Sequence, residues 1–160
     1  MGHSKLKVLF VCNEYPPSPH GGIGVIVRAI AERLVVSGIS VVVLGIDPVV
    51  SHDTTENLNG VLVARLANKY RNDVKYRLGR YFLTAEPFLV RRYLSYRLEE
   101  AISIHKPDLI ESYDWSGPLW RKPSVPLVVR MHGAHTAYNY YEGKRTSRLL
   151  KFFEIGRAHV

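Results

Sequence analysis

The sequence predicts an α/β fold, a three-layer Rossmann-like domain with a mostly parallel sheet. Three observations predict it. Short runs rich in β-branched residues alternate with longer stretches of helical periodicity along the chain. The main apolar runs, Val8–Cys12 and Ile39–Ile46, are continuous rather than alternating, as strands covered on both faces require. Within residues 7–38 a strand pattern, a loop punctuated by proline and glycine, and a helical pattern follow one another in that order.

Taken along the chain, Val8–Cys12 is the first strand. Asn13–Gly22 is a loop holding Pro16, Pro17, Pro19, Gly21 and Gly22. It exceeds the roughly 2–6 residues usual between a strand and a helix. The following helix carries Ile23, Val27, Ile30 and Leu34 on one face, and Gly38 lies where a left-handed cap is wanted. Ile39–Ile46 is the second strand, 47–60 a polar, turn-rich surface excursion, and Val61–Leu66 the third strand. Glu86-Pro87 reads as a helix start with proline at the first position. From there Val90, Leu94, Leu98, Ala101 and Ile102 form an inward stripe that ends at His105 before Pro107. Asp108–Glu111 and Val125–Met131 are the last two strands. Ala134–Ile155 closes with a basic helix whose apolar face is Leu149, Leu150 and Phe153.

Length and composition set bounds on function. A chain of 160 residues, 46% apolar and 22% charged, is one globular domain able to bury its own core. Its one cysteine, Cys12, lies inside a strand, which excludes a disulfide framework and a cysteine zinc cluster and fits a reducing cytosol. No run reaches the roughly 20 apolar residues of a membrane span, and no secretory pattern opens the chain. Met1–Ser4 reads as a cloning remnant and Gly156–Val160 as a vector-derived tail, leaving 5–155 as the domain. A net charge of +8 favours acidic partners such as nucleotides, anionic lipid or nucleic acid.

With all strands parallel, the loops Asn13–Gly22, Ser112–Lys122 and His132–His135 leave the same sheet edge, where open α/β sheets bind ligands. Gly21 and Gly22 let a bulky or charged ligand approach the backbone, and a helix N-terminus beside them favours an anion. His132-Gly133 follows a strand directly. The histidine can donate to a sugar hydroxyl or phosphate, or equally satisfy a strand-end carbonyl. Asp114 can act as a base or a hydroxyl ligand, or simply form an Asx turn beside Trp115. Gly22-Ile23-Gly24 gives G-x-G, but Val27 stands at the third glycine position, against a nicotinamide fingerprint. His20, His132 and His135 lack the short-range pairing of a zinc site, so no metal is expected. Hydrolase, zincin and P-loop motifs do not occur.

A basic stretch with interleaved aromatics occupies 65–97, including Arg77, Arg80, Arg91 and Arg92. Such a mixture suits an anionic membrane surface or single-stranded nucleic acid. No nucleic-acid-binding signature accompanies it, so lipid or a phosphorylated acceptor ranks ahead.

The opening strand, PPSPHGGIG, the helix pattern after it, K-P-D-L-I-E (106–111) and V-V-R-M-H-G (128–133) together resemble the N-terminal half of a family 4 glycosyltransferase. The resemblance spans about residues 5–155 and implies one half of a two-domain GT-B enzyme that retains configuration at the anomeric carbon. It implies Gly21, Gly22 and Gly133 on the side of a nucleotide-sugar donor (UDP- or GDP-linked) and His132 near the reacting sugar. Tyr113, Asp114, Trp115, Tyr138 and Tyr141 would face the acceptor. Arg77, Arg80, Arg91 and Arg92 would form a membrane-facing or anion-facing surface, placing the protein in the cytoplasm or peripherally at the inner face of a membrane. It implies no cofactor beyond the donor substrate, which the family holds mainly with a second domain that this sequence lacks. On that resemblance the sequence reads as a truncated acceptor-side half without turnover of its own. An unfinished sheet edge would favour association between copies. The expectations that compete with it are a basic module docking on anionic lipid or nucleic acid, and a nicotinamide-dependent reductase.

Overall fold

The chain order is β1 (Lys7–Val11), α1 (Gly22–Val36), β2 (Ser40–Asp47), β3 (Thr54–Leu58), β4 (Val61–Ala67), α2 (Lys75–His105), β5 (Leu109–Tyr113), β6 (Leu127–Arg130) and α3 (His135–Tyr141). This computed structural model describes residues 5–19, 21–70, 75–115, 117–133 and 135–145, with backbone alone for 75–85 and 135–136. The strands form one six-stranded sheet in the order β3-β4-β2-β1-β5-β6. Every neighbouring pair is parallel except β3 with β4. The fold is therefore an α/β, Rossmann-like sheet with one antiparallel edge.

Because successive side chains on a strand point to opposite faces, β1 feeds two cores. Val8, Phe10 and Cys12 face α1, where they pack with Val27, Ala31, Val41, Val43, Val61 and Val63. Leu9 and Val11 face α2 and pack with Leu44, Ile46, Leu94, Leu98 and Ile110. This double burial explains why β1 and β2 read as unbroken apolar runs. Cys12 is part of the first core, and burial pushes its thiol up to about 11, so it remains a protonated, unreactive hydrophobe at neutral pH.

Three expectations need correction. The polar excursion 47–60 contains β3, which pairs antiparallel with β4 through a turn at Asn59-Gly60, both at positive φ. An Asn-Gly pair between two strands is a strong hairpin signal, but Thr-Thr-Glu-Asn-Leu is polar and lies at the sheet edge. The long helix does not begin at Glu86-Pro87. It runs 31 residues with Pro87 inside it. Proline lacks one helical N–H and costs about 3 kcal/mol mid-helix, so its place inside the helix was not to be expected from local preference. The last strand is shorter than Val125–Met131, because Pro126 cannot donate and enters the ladder only through its carbonyl, which accepts from Ile110 N–H at 2.9 Å. The basic helix expected to end at Ile155, with Leu149, Leu150 and Phe153, lies outside the described residues beyond 145.

Candidate active site at the carboxyl edge of the sheet

β1, β5 and β6 are parallel neighbours, so the three loops leave from adjacent points on one edge, as expected. β1 turns out of the sheet through Asn13, whose Oδ1 accepts from Ile46 N–H at 2.8 Å. The chain then folds back on itself. Gly24, on the buried side of α1, packs so closely against the Glu14 carbonyl that a Cβ would stand 1.9 Å from its oxygen. Only glycine fits there. Gly21 is the residue before α1 and has no side-chain cap. Its own N–H donates to Glu14 Oε2 at 3.0 Å. A carboxylate of the chain thus occupies the kind of position an anionic ligand would take at a helix N-terminus. Gly22, by contrast, faces open space.

The loop is held from the other side by Arg65 on β4, 6% exposed. Its Nη1 donates to the Tyr15 carbonyl at 2.7 Å and to Ser18 Oγ at 3.0 Å, and its Nη2 to the Pro16 carbonyl at 2.9 Å. Its charge is balanced by Asp47 at 3.2 Å and Glu56 at 2.7 Å. Burial pushes the Asp47 carboxyl up, but hydrogen bonds from Ser18 Oγ and Val49 N–H, with the Arg65 charge, outweigh it and hold the carboxyl below its usual range. Sequence reading grouped Arg65 with the surface cations and passed over Glu14. The available signal was parity: residue 65 shares the buried face of Val61 and Val63, where an arginine must be paired.

The β5 and β6 ends are joined at Asp114. Asp114, 5% exposed, accepts from His132 N–H through Oδ1 at 2.8 Å, and its own N–H donates to the Arg130 carbonyl at 3.2 Å. Among the described residues, Asp114 Oδ2 and His132 Nε2 are buried with no hydrogen-bond partner. Gly133 has φ +105, a conformation that excludes most side chains, and faces open space. Trp115 packs on Tyr138 of α3 with ring centroids 6.0 Å apart, and Lys144 Nζ lies 5.6 Å from the Tyr138 ring. The β5 and β6 ends therefore bring Tyr113, Asp114, Trp115, His132, Gly133 and Tyr138 together. Tyr141 projects to solvent beside Tyr140. His20 lies outside the described residues, as does the side chain of His135.

A family model described as a glycosyl transferase 4-like domain matches residues 21–155. The chain belongs to that family. The matched span runs from the start of α1 through α3, so it includes the Asp114–His132 contact. No curated protein matched the sequence.

In this glycosyl transferase 4-like domain Arg91 does not belong to the expected basic surface. Arg91 is buried: its Nε donates to the Gly117 carbonyl at 2.8 Å and its Nη1 to the Pro87 carbonyl at 3.0 Å. Arg91 lies on the inward stripe with Leu94 and Leu98, which is why it is not at the surface. Arg97 pairs with Asp53 and with Glu100. Lys69 lies over the Tyr93 ring at 5.3 Å. Arg92 is exposed, whereas the side chains of Arg77 and Arg80 lie outside the described residues. Two hollows remain. One of about 190 Å³ opens between α2 and the ends of β1 and β5, lined by Asn13, Arg91, Tyr113 and Trp115 among others. A larger one of about 350 Å³ lies at the opposite, amino-terminal edge, where Lys7, Ser40, His105 and Pro107 contribute. That edge carries none of the loops that bear chemistry. Among the described residues, no group of three or more His, Cys, Asp or Glu is placed to hold a metal ion, and no helix is long and apolar enough to cross a membrane.

Proposed function

We propose that this domain is the acceptor side of a retaining, GT-B-type sugar transferase, which moves a glycosyl group from a UDP- or GDP-sugar to an acceptor hydroxyl. The observation that supports this most is the joined rim of β5 and β6, where a buried carboxylate oxygen and a buried imidazole nitrogen point to a ligand rich in hydroxyls. Unsatisfied buried polar atoms cost about 1–3 kcal/mol each, a cost that a bound sugar would remove.

In this reading Gly22 and Gly133 leave room for the donor diphosphate, which takes the place of the Glu14 carboxylate at the Gly21 N–H, and the first-turn amides of α1 stabilise the charge that grows on it as the glycosidic bond breaks. His132 contacts the donor sugar near its reacting carbon. Asp114, with Tyr113, Trp115 and Tyr138, holds the acceptor hydroxyl. A second Rossmann-like domain supplies most of the donor affinity, and no cofactor is needed beyond the donor itself. Arg92, with Arg77 and Arg80, turns toward anionic headgroups if the acceptor is lipid-linked, which would make the protein peripheral at a cytoplasmic membrane face.

The test is to incubate the product of the complete gene with a panel of UDP- and GDP-sugars and measure nucleotide release. One donor should support release, and His132→Ala should reduce it by about 100-fold, the usual scale for losing an electrostatic contact to the transition state. Release unchanged in His132→Ala, or none with any donor, would overturn the reading.

A further inference from the structure

The hollow at the amino-terminal edge of the sheet has the size of a small-molecule site. At about 350 Å³ it falls within the roughly 300–1,000 Å³ of pockets that enclose a whole ligand. It lies across the starts of β1, β2 and β4, which are neighbours in the sheet. Strands stand about 4.8 Å apart, so a ligand crossing all three is extended, roughly 10 Å long. Val8, Val35, Ile39, Val41, Leu62 and Ile104 give the hollow aliphatic walls, and no Phe, Tyr or Trp lines it. Ile104 is 67% exposed, an apolar wall left largely in water.

The charge around it has one sign. Lys5 and Lys7 line the hollow, and among the described residues no acidic side chain does. Two helices end at this edge, and free carbonyls at a helix end attract cations. Here those ends are already served. The Arg33, Leu34 and Val35 carbonyls of α1 accept from the N–H groups of Ser37, Ile39 and Gly38 respectively. The His105 carbonyl of α2 accepts from Lys7 Nζ at 3.2 Å. This contact takes one of the ammonium's donors and leaves the charge of Lys7 in place. Asp108, which does not line the hollow, accepts through its carboxylate from the main-chain N–H of Lys7 at 2.8 Å. His105 adds no charge, because burial, reinforced by Lys7, holds its imidazole below the usual range. Aliphatic walls beside two ammonium groups favour an alkyl chain that ends in an anion.

We propose that this hollow binds a medium-chain alkyl carboxylate, its chain against the aliphatic walls and its head group beside Lys5 and Lys7. The site lies at the opposite edge from the rim of β5 and β6. It needs nothing from the transferase reading and stands or falls without it.

Calorimetric titration of this chain with octanoate, octanol, octylamine and acetate tests it. Octanoate should bind several-fold more tightly than octanol, octylamine should bind worst of the three, and acetate should give no heat. Affinity should rise roughly fourfold for each methylene from hexanoate to octanoate, the worth of burying that group. Lys5→Gln combined with Lys7→Gln should weaken octanoate about threefold to tenfold, the scale of two exposed charges, and leave octanol unchanged. Ser40→Phe, which fills the hollow and leaves both lysines in place, should abolish binding. Ile104→Asp puts a carboxylate on the exposed wall and should weaken octanoate more than octanol. Thermal melts establish which variants fold, and Ile104→Asp, at an exposed position, decides the matter if Ser40→Phe does not fold. Equal affinity for octanoate, octanol and octylamine, binding indifferent to Ile104→Asp and Ser40→Phe, or no binding of octanoate would overturn the proposal. The transferase reading would survive that failure, because nucleotide release and His132 judge it separately.

Discussion

At the scale of single residues, the site depends on a few side chains that each hold several backbone groups. Arg65 is the clearest case, donating to the Tyr15 and Pro16 carbonyls while paired with Asp47 and Glu56. Arg65→Met removes one member of a buried pair and leaves Asp47 uncompensated, so urea melts should show a loss of about 3–5 kcal/mol. Asp47 has a depressed folded value. The stability it contributes is therefore present above its unfolded value near ~3.9 and lost as pH falls through the folded one. Acid unfolding should accelerate below about pH 4, and Asp47→Asn should flatten that part of the pH–stability curve. Two glycines of α1 should part company. Gly24→Ala drives a Cβ into the Glu14 carbonyl and should cost about 1–3 kcal/mol or more. Gly22→Ala meets nothing and should leave the melting temperature unchanged or slightly raised, while hindering any ligand that lies against that backbone.

At the scale of elements, what the sequence disclosed follows from how each segment is buried. β1, α1 and β2 were legible because both faces of the strands are covered, and continuous apolar runs flanked by turn residues have few other readings. β3 was not, because an edge strand with its alternating, half-exposed face needs no apolar run. Its signal lay in Asn59-Gly60. Gly60→Ala should cost about 1–2 kcal/mol, since φ is +86 and the new Cβ would come within 2.6 Å of Val35 Cγ1; a chemical melt measures it. For α2, Pro87 mimicked a helix start because proline at a first turn and proline within a helix look alike locally. The stripe after it was legible, and Leu94→Ala, at a position 1% exposed, should cost about 2–5 kcal/mol. Arg91 shows the limit of reading charge alone, for it shares that stripe and spends its charge inside the molecule.

At the scale of the whole molecule, a parallel sheet gathers chemistry from distant parts of the chain onto one edge. The sequence named His132 and Gly133 because they follow a strand directly and Asp114 because it lies in a loop at the same edge, and strand order then made β5 and β6 neighbours. It could not name the bond between Asp114 Oδ1 and the His132 N–H, which depends on register across two strands 18 residues apart. That bond uses the main-chain N–H of His132, so His132→Ala leaves it in place and Asp114→Ala removes it. In nucleotide-release assays of the complete gene product, Asp114→Ala should be severe, and adding His132→Ala to it should cost little more, since the loop that positions the imidazole is already released. Independent losses that multiply would show that the two act separately.

The grip of Arg65 on a loop 50 residues earlier also has a consequence for biosynthesis. A ribosome that has delivered only as far as β2 has produced the strand, the helix and the diglycine turn, yet the clasp that shapes them is still unmade. The rim therefore matures out of register with its own sequence, and the nascent protein acquires a formed mouth only once the hairpin of β3 and β4 has emerged and closed over it.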